Sequence, residues 1–595
     1  MRAKLSVLTV LVLFGLVLIA CAPAPAPTAV PATAVPQPTV APPPTTAPQP
    51  TAAPAQPTAA PATKAPEPTK APEPTKAPVP TTAPTVARSG GVLRLGQNAA
   101  DVGNLDPHFA TTTQDRSVVD MVFNALIRYK PGDGTVFEPD LATALPEPKM
   151  DGGKQSWTFT LRKGAMCQPT EGVPSYELTS DDVVYSFKKS ADKTTSAYSG
   201  DYNGMTFEAV DASTVKITLS SPISKNLFYP RVANYSGGFI VCRKAVEKLG
   251  PDKIKTNPVG TGPFMFKSYT AKEKTTLVAF DNYFRGKPQL DGVEMLYMAD
   301  LSSRELGLRG GQLNVINGAP DKAWVDTIAK AANVKVDVFG VGEVATLYFN
   351  LNAPPMDKLP VRQAVAYALN RDEFLAFVGP VVGANVYSVV PAQFLAGGLS
   401  QQEVTAKSLD YGTNVDKAKK LLADAGLPNG FTIKLVTSEM TGYKVIYESL
   451  QSQLAKVGIK VDIQVIDHTS YHSTIRNDAN ALIVYIAWRP SADAYLTRFL
   501  HSDSIIIKGK NPDTNFVHYD KIDKLIEQAR VELDADKQVA LWKQAQTQTL
   551  EEMVAFPIQY QNQVYARASN VDYGHALKSV LALYPGIDET TRIVK

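Results

Sequence analysis

The sequence predicts an α/β fold with mixed sheets, divided into at least two lobes. Roughly 500 residues follow Arg88, and a single hydrophobic core rarely organises a chain of that length. Apolar and polar residues alternate over 92–95, 157–161 and 215–219, which is typical of strands. Segments with apolar residues three and four positions apart lie between such strands and indicate helices. Because strands and helices alternate irregularly, we expect mixed sheets.

The N-terminal residues predict export and a lipid anchor. Arg2 and Lys4 precede an apolar stretch over residues 5–20, so we interpret residues 1–20 as a secretory signal peptide and not as a membrane span. Cys21 follows Leu-Ile-Ala, and this segment resembles the bacterial lipobox, whose cysteine is lipidated and becomes the mature N-terminus. The alternative is a plain signal peptide that happens to contain a cysteine. No other apolar run in the sequence is long enough to span a bilayer.

Residues 22–87 predict an extended stalk between the lipidated Cys21 and the folded part. Pro, Ala and Thr dominate this segment, and the hexapeptide Thr-Lys-Ala-Pro-Glu-Pro at 63–68 recurs at 69–74 and, with one change, at 75–80. Proline fixes φ and lacks an N–H group, so neither helix nor sheet is expected here. Chains of this composition form semi-rigid polyproline-like spacers.

The composition argues against a nucleic-acid partner and leaves open whether two of the cysteines form a disulfide. The formal net charge is +3 with no basic block, so we expect no nucleic-acid partner. The chain has three cysteines, of which Cys21 is assigned to the anchor. Cys167 and Cys242 remain available for a disulfide in an exported, oxidising setting. The sequence alone leaves open whether they lie close together.

Helices in the second half of the folded part are defined by their apolar faces and by their ends. Apolar residues between 361 and 369 share one helical face. Two further helices are expected to end at Gly426 and Gly458, because glycine adopts the left-handed conformation without steric cost. The predicted helices cover residues 361–369, 416–425, 446–457, 520–530 and 535–552, and a strand is predicted at 459–466.

Catalytic motifs are missing from the sequence, so we do not expect an enzyme. There is no Gly-x-Ser-x-Gly elbow, no phosphate-binding glycine loop and no Cys-x-x-Cys pair. His468 and His472 are four positions apart, but Thr469 stands where a zinc protease has glutamate. We therefore interpret them as exposed histidines at unrelated positions and expect no metal and no cofactor. Gly260 and Gly262 precede an apolar strand and predict a tight turn.

Several collinear blocks between residues 88 and 575 carry a family resemblance. Residues 258–264 read Pro-Val-Gly-Thr-Gly-Pro-Phe, and residues 281–288 read Asp-Asn-Tyr-Phe-Arg-Gly-Lys-Pro. Further blocks follow in the same order at 104–107, 160–164, 179–187, 348–350 and 361–371. Together they resemble the peptide/opine/nickel class, family 5, of bacterial extracellular solute-binding proteins, which deliver ligands to ABC importers.

The resemblance implies a two-lobed clamshell of the periplasmic-binding-protein type with an extra subdomain. A ligand that contacts both lobes favours the closed form, which docks on an ABC permease with its ATPase subunits. Crossing segments near 345 and 555 are the expected hinges, and we expect a monomer. The implied parts are lobe I at 88–135, 255–345 and 555–595, the extra subdomain at 136–254, and lobe II at 346–554.

The same resemblance names candidate ligand contacts around Trp488. Trp488 is expected to stack on the ligand; the alternative is that it fills the core. Arg489 is expected to pair with a ligand carboxylate; the alternative is that it lies on the surface. Asp493 is expected to accept an amine, or alternatively to cap a helix. From family positions, Thr111 and Thr112 are expected to line the cleft, and Tyr560 to lie either in the pocket or in the core.

Two departures from the family pattern bear on the loop and on the ligand. The segment at 166–171 differs from its counterpart in relatives. Peptide-binding relatives carry an aspartate three residues after the matching tryptophan, where this chain has Ser491, and Asp493 replaces it only if the loop shifts. An oligopeptide is therefore the leading ligand, with a sugar, an opine or a metal chelate as alternatives. A sensory or chaperone-type binding protein on the same fold is the other functional alternative.

Overall fold

The computed structural model describes residues 89–578 and 584–594. The signal peptide, Cys21 and the proline-rich stalk lie outside these described residues. Within them, no helix has the length and the apolar character needed to cross a membrane.

The first half of the described chain is rich in short strands. It begins with β1 (Val92–Gln97), α1 (Thr113–Val122) and β2 (Asn124–Ala125). It continues with β3 (Ile127–Lys130), β4 (Asp133–Pro139), β5 (Pro148–Asp151), β6 (Lys154–Thr160), β7 (Met166–Cys167), β8 (Tyr176–Glu177), α2 (Ser180–Ala191), β9 (Met205–Asp211), β10 (Thr214–Leu219), α3 (Lys225–Val232), β11 (Phe239–Ile240) and α4 (Arg243–Lys253). It ends with β12 (Phe264–Thr270), β13 (Lys274–Ala279), β14 (Gly292–Tyr297), α5 (Leu301–Arg309), β15 (Val315–Asn317), α6 (Lys322–Ile328) and the long β16 (Val334–Phe349).

The second half is mainly helical and returns through a second long strand. Its elements are α7 (Leu359–Ala368), α8 (Arg371–Val378), β17 (Gly383–Asn385), α9 (Gln401–Ala406), α10 (Val415–Asp424), β18 (Phe431–Ser438), α11 (Thr441–Ala455), β19 (Ile459–Ile466), α12 (His468–Arg476), β20 (Leu482–Ala487), α13 (Ala492–Leu500), α14 (Asp523–Val531), α15 (Ala535–Glu551), β21 (Ala555–Ala568), β22 (Val571–Asp572) and β23 (Arg592–Ile593).

The mixed sheets predicted from the sequence are confirmed. A nine-stranded sheet runs in the order β12-β13-β14-β1-β15-β21-β16-β20, with β17 also paired to β21. β1 is parallel to β14 and to β15, whereas β16 is antiparallel to both β20 and β21. A separate four-stranded antiparallel sheet, β5-β6-β10-β9, belongs to the region of the extra subdomain.

The three largest hydrophobic clusters among the described residues underlie the fold, and we keep the names lobe I, extra subdomain and lobe II for the parts built on them. The lobe I core draws on residues 93–339 and 565–587, and the subdomain core on residues 126–259. In the latter, Trp157 stacks on Phe228 with ring centroids 4.1 Å apart. The lobe II core draws mainly on residues 344–558. The residue boundaries given by the resemblance stay a prediction.

The glycine turn before β12 is fixed by close backbone approach. A Cβ added to Gly260 would lie 2.3 Å from the Val122 carbonyl oxygen, and one added to Gly262 would lie 2.5 Å from that of Met121. Only glycine therefore fits against the end of α1. Gln168 fastens the turn from the other side, because its Nε2 donates to the carbonyls of Gly262 (3.0 Å) and Phe264 (2.8 Å). The segment at 166–171 that departs from relatives thus has a packing role.

A disulfide joins two segments of the extra subdomain. Cys167 at the end of β7 bonds to Cys242, which directly precedes α4, across 75 residues of sequence. Both cysteines are fully buried in the subdomain core. A cross-link over a loop of this length removes conformational freedom from the unfolded chain, so it stabilises the subdomain.

The two lobes are connected through paired strands, β16 and β21. Residues 334–339 of β16 pair with the lobe I half of β21, and residues 343–348 pair with its lobe II half. The register shifts between Phe339 and Glu343, so residues 340–342 interrupt the ladder. This interruption lies close to the hinge expected near 345, but it faces residue 562 rather than residue 555.

Candidate functional site

A cavity of about 960 Å³ lies beside the interrupted register, where lobe I meets lobe II. This volume is at the upper end of the range found for small-molecule sites. The segment 319–321 after β15 forms its lobe I wall, and Glu343 and Gln561 of the crossing strands form its floor. The lobe II wall comes from the ends of α8 and β18, the start of α11, helix α12 and β20, with Phe377, Val378, Glu439, Met440, Thr441, Gly442, Tyr443, Val445, His468, His472, Tyr485 and Ile486.

Glu343 is shared by this larger cavity and by a second one of about 280 Å³. The smaller cavity is lined from lobe I by Gln97, Asn98, Thr113, Gln114, Asn317, Gln563 and Tyr565. Burial raises the pKa of Glu343 above its usual value, and the positive charge of Arg489 partly offsets that rise. Glu343 thus places a carboxyl group at the junction of the two cavities, within the field of a lobe II cation.

Trp488 lies between lobe II and the extra subdomain. It directly follows β20, and its ring meets the Tyr235 ring edge-on at 5.5 Å. Tyr235 in turn accepts a hydrogen bond from Arg116 Nη1 at 2.7 Å, and the guanidinium carbon of Arg116 lies 4.5 Å from its ring centre. The indole Nε1 of Trp488 is buried without a hydrogen-bond partner among the described residues. Trp488 therefore offers an unused donor where the parts of the molecule meet.

Arg489 points inward and not to the surface. Its Nη1 donates to the Trp488 carbonyl at 2.8 Å, and its guanidinium carbon lies 4.9 Å from the centre of the Phe499 ring. The Nε group is buried with no hydrogen-bond partner in the described part of the chain. Arg489 thus retains an N–H group for an anionic partner, close enough to Glu343 to lower that side chain's pKa.

Asp493 is engaged elsewhere. Its Oδ1 forms an ion pair with Arg530 Nε at 2.9 Å, on the side of α13 that faces α14. The predicted capping alternative is wrong, because Ser491 is the N-cap of α13 and accepts from the Ala494 N–H at 3.2 Å. The carboxylate that relatives present after this tryptophan therefore has no free counterpart on this loop.

The remaining predicted contacts have structural partners or lie beside the cavities. Thr112 is the N-cap of α1 and accepts from the Asp115 N–H at 3.3 Å, while Thr111 is exposed. The two residues that follow, 113 and 114, are the ones that line the smaller cavity. Tyr560 packs edge-on against Phe394 at 4.9 Å, and its neighbour Gln561 lines the larger cavity.

The interpretation of His468 and His472 as exposed and unrelated is wrong. Both are half-buried in the wall of the larger cavity, and their Nε2 atoms are 3.1 Å apart. Burial, together with the neighbouring His468 and Arg476, lowers the pKa of His472 to about 4. No group of three or more His, Cys, Asp or Glu side chains is arranged to hold a metal ion within 89–578 and 584–594.

Glu343 and Gln561 are cavity residues that sequence reasoning missed. Neither belongs to a recognisable motif, and their positions face each other only because β16 pairs with β21. The sole local signal is the Gly-Val-Gly run at 340–342, which precedes Glu343 inside an otherwise regular strand. Isolated glycines in a strand pattern indicate a bulge or a close backbone approach.

Comparison with known proteins gives one consistent family. Residues 136–505 match the family described as bacterial extracellular solute-binding proteins, family 5 Middle. The dipeptide-binding protein of Escherichia coli (strain K12) is 29% identical over 460 residues, which cover 73% of this chain and 82% of that protein.

Two solved structures carry ligands of different chemistry. A binding protein from A. tumefaciens R10 in complex with mannopinic acid is 36% identical, with a TM-score of 0.70, over 85% of this chain and 100% of that one. The peptide-bound DppA of Helicobacter pylori is 25% identical, with a TM-score of 0.67, over 85% of this chain and 99% of that one.

Proposed function

The chain belongs to the bacterial extracellular solute-binding proteins of family 5, and we propose that it captures a short oligopeptide between its lobes for delivery to an ABC importer. The observation that carries this proposal is the cavity of about 960 Å³ that Glu343 lines, with the carboxyl group of Glu343 within the field of the Arg489 guanidinium. A site of this size accommodates a small peptide. A zwitterion is the natural occupant where a carboxyl group and a guanidinium stand together.

The two charges suit the two ends of a peptide. Arg489 offers a guanidinium group, which binds a carboxylate through charge-assisted hydrogen bonds. Glu343 offers the carboxylate for an ammonium group, in place of the aspartate that this chain lacks at Ser491. Trp488, the neighbour of Arg489 in the sequence, carries an indole N–H that is buried without a hydrogen-bond partner among the described residues. Peptide-binding relatives and the peptide-bound H. pylori structure support this choice.

An opine is the second candidate, and a specific observation favours it. Asp493 is paired with Arg530, so the loop after Trp488 presents no free carboxylate for a terminal ammonium. The 36% identical A. tumefaciens protein binds mannopinic acid, a conjugate of a sugar and an amino acid. Such a compound is also zwitterionic and uses the same two charges, but its sugar hydroxyls need neutral polar partners.

Delivery requires a position outside the cytoplasm, as is usual for this family. We propose that Cys21 carries the lipid that holds the chain at the outer face of the membrane or in the periplasm, that the stalk lets the lobes reach the permease, and that the protein acts as a monomer. A sensory binding protein with the same fold would dock on a receptor instead of a permease.

Calorimetry with a small panel of ligands tests the proposal. We expect native mass spectrometry of the purified chain to identify a co-purifying zwitterion, and titration to show tighter binding of di- and tripeptides than of mannopinic acid. Glu343→Gln is expected to weaken binding about tenfold or more, because a charge-assisted hydrogen bond is lost. Glu208→Gln, an exposed change in the extra subdomain, is the matched control.

Two results would contradict the proposal of a peptide ligand bound by Glu343. Tighter binding of mannopinic acid than of any peptide would assign the chain to the opine alternative. Unchanged affinity of Glu343→Gln for the bound zwitterion would show that this carboxyl group does not recognise the ligand.

A further inference from the structure

The loop at residues 391–398 belongs to lobe II, and its base is fastened there. Ser388 Oγ accepts a hydrogen bond from the Leu399 N–H at 2.9 Å, which closes the loop. The fully buried Gln546 donates from its Nε2 to the Gly397 carbonyl. This bond joins the loop to α15, a helix that packs in the lobe II core, so the base of the loop moves with lobe II.

The tip of this loop, residues 392–396, projects toward the extra subdomain. It lines a cavity of about 340 Å³ that is separate from the two cavities beside Glu343. The extra subdomain contributes Phe137, Asn226 and Pro230 to the lining of the same cavity. The tip therefore lies between two parts of the molecule whose separation changes when the lobes move.

Phe394 at this tip contacts three parts of the molecule with one ring. It meets the Tyr560 ring of lobe II edge-on, with the centroids 4.9 Å apart, and it packs against Tyr235 of the extra subdomain. A Cβ added to Gly340 would lie 2.1 Å from Phe394 Cε1, so the ring lies directly on the backbone of that glycine. Gly340 begins the segment 340–342 that interrupts the ladder between β16 and β21.

These contacts depend on the arrangement of the lobes. Among the described residues, the half-buried Phe394 packs with the small cluster around Tyr235 rather than with the lobe II core. Rotation of the lobes about residues 340–342 would carry Tyr235 away, and the ring cannot follow because its loop is tied to lobe II. The same rotation would move Gly340 beneath the ring. Contacts that are present in one of two arrangements favour that arrangement.

We propose that Phe394 is a latch that holds the lobes together while no ligand is bound. Gly340 is the seat of the latch, since any side chain at this position would displace the ring. The latch stabilises the closed arrangement before capture, and a ligand adds its own contacts to it. This inference rests on the two-lobed capture proposed above but not on the identity of the ligand, and the unliganded chain tests it.

Hydrogen exchange of the full chain, measured by mass spectrometry after dialysis has removed co-purifying compounds, tests the latch. Phe394→Ala is expected to speed exchange over residues 334–349 about two- to tenfold, because an aromatic contact changes an equilibrium by about that factor. Leu395→Ala is the matched control. It truncates the next side chain of the same loop, which packs against the lobe II core, and is expected to leave exchange over 334–349 unchanged.

A second substitution shows whether the ring acts through its seat on Gly340. Gly340→Ala places a methyl group against the ring and is expected to speed exchange over 334–349 to a similar extent. When Phe394→Ala is already present, the methyl group meets no ring, so Gly340→Ala is expected to add little. Gly412→Ala, where nothing lies within 4 Å of the added atom, is expected to change nothing.

Three results would overturn the latch. Exchange over 334–349 could be unchanged in Phe394→Ala, it could rise equally in Leu395→Ala, or the effects of Phe394→Ala and Gly340→Ala could add in full. If Gly340→Ala does not fold, the comparison of Phe394→Ala with Leu395→Ala decides. No ligand enters these measurements, so failure of the latch is distinguishable from failure of the proposed function, which the ligand titrations test.

Discussion

Glu589 lines a small polar cavity of lobe I, of about 90 Å³, together with Asp120, Arg128 and Asp140. Its Oε2 is buried without a hydrogen-bond partner in the described part of the chain. Burial raises the pKa of Glu589 to about 7, with Asp588 adding to the rise and Arg128 opposing it. The folded protein therefore keeps a proton on Glu589 at a pH where the unfolded chain releases it.

This pKa predicts how stability depends on pH. The contribution of Glu589 is fully present below its unfolded pKa, near 4.5, and is lost as pH rises through about 7. Glu589→Gln removes that loss, so we expect the variant to be more stable than the original at pH 8, by on the order of 2 kcal/mol, and equal to it at pH 4.5. Urea unfolding at both pH values measures this. An equal difference at the two pH values would contradict the assignment, and the exposed change Glu208→Gln is the control.

Single residues also show where sequence reasoning reaches its limit. The ligand-contact roles of Trp488 and Arg489 follow from their place after a strand in the family pattern, and they stay predictions. The place of Glu343 does not follow from the sequence, since its partner Gln561 stands more than 200 positions away and meets it only across the paired strands. The spacing of His468 and His472 can be read from the sequence, but their half-buried position in the wall of the larger cavity cannot.

At the level of elements, the turn that contains Gly260 gives a sharp stability test. A Cβ at this position would lie 2.3 Å from the Val122 carbonyl and 2.6 Å from the Phe123 ring, which forces the backbone of α1 to move. We expect Gly260→Ala to destabilise the protein by about 1–3 kcal/mol. Gly412→Ala is the matched control, because nothing lies within 4 Å of the added atom. Equal unfolding midpoints for the two variants would refute this packing account.

Element ends were predictable wherever a local rule fixes them. The helix expected to end at Gly426 is confirmed, whereas the helix expected to run to Gly458 already ends at Ala455; both glycines have φ of +83°. The strand at 459–466 is confirmed with the same bounds. The start of α11 lies five residues before the predicted 446, at Thr441, because its first turn lacks apolar periodicity. Pairing between β16 and β21 has no local rule, so the sheet that joins the lobes was not predictable residue by residue.

For the whole molecule, the contacts between parts predict an equilibrium of lobe positions. Ser224 and Asn226 of the extra subdomain donate to Gln538 Oε1 on α15 of lobe II, at 2.7 and 3.2 Å. Ser224→Ala with Asn226→Ala removes both donors, and Ser224 makes no capping hydrogen bond that would be lost with them. Without a ligand, we expect the double variant to populate more separated lobes.

Small-angle scattering measures this. The unliganded double variant should have a larger radius of gyration than the original. Added ligand should bring the two values together, because its contacts with both lobes stabilise the closed form in both proteins. Thr206→Ala, on a strand of the same subdomain, is the control. Identical scattering of the two unliganded proteins would show that these hydrogen bonds do not hold the lobes.

The paired strands β16 and β21 have a mechanical consequence. Two single chains would let the lobes swivel about several axes, but a hydrogen-bonded ribbon resists shear along its length and bends most easily where residues 340–342 break its ladder. The lobes then open and close mainly by rotating about one axis, which lies at the interrupted part of the ribbon. A membrane partner that touches only the outer surfaces of the two lobes can therefore sense an enclosed molecule from the angle between the lobes, without contacting that molecule.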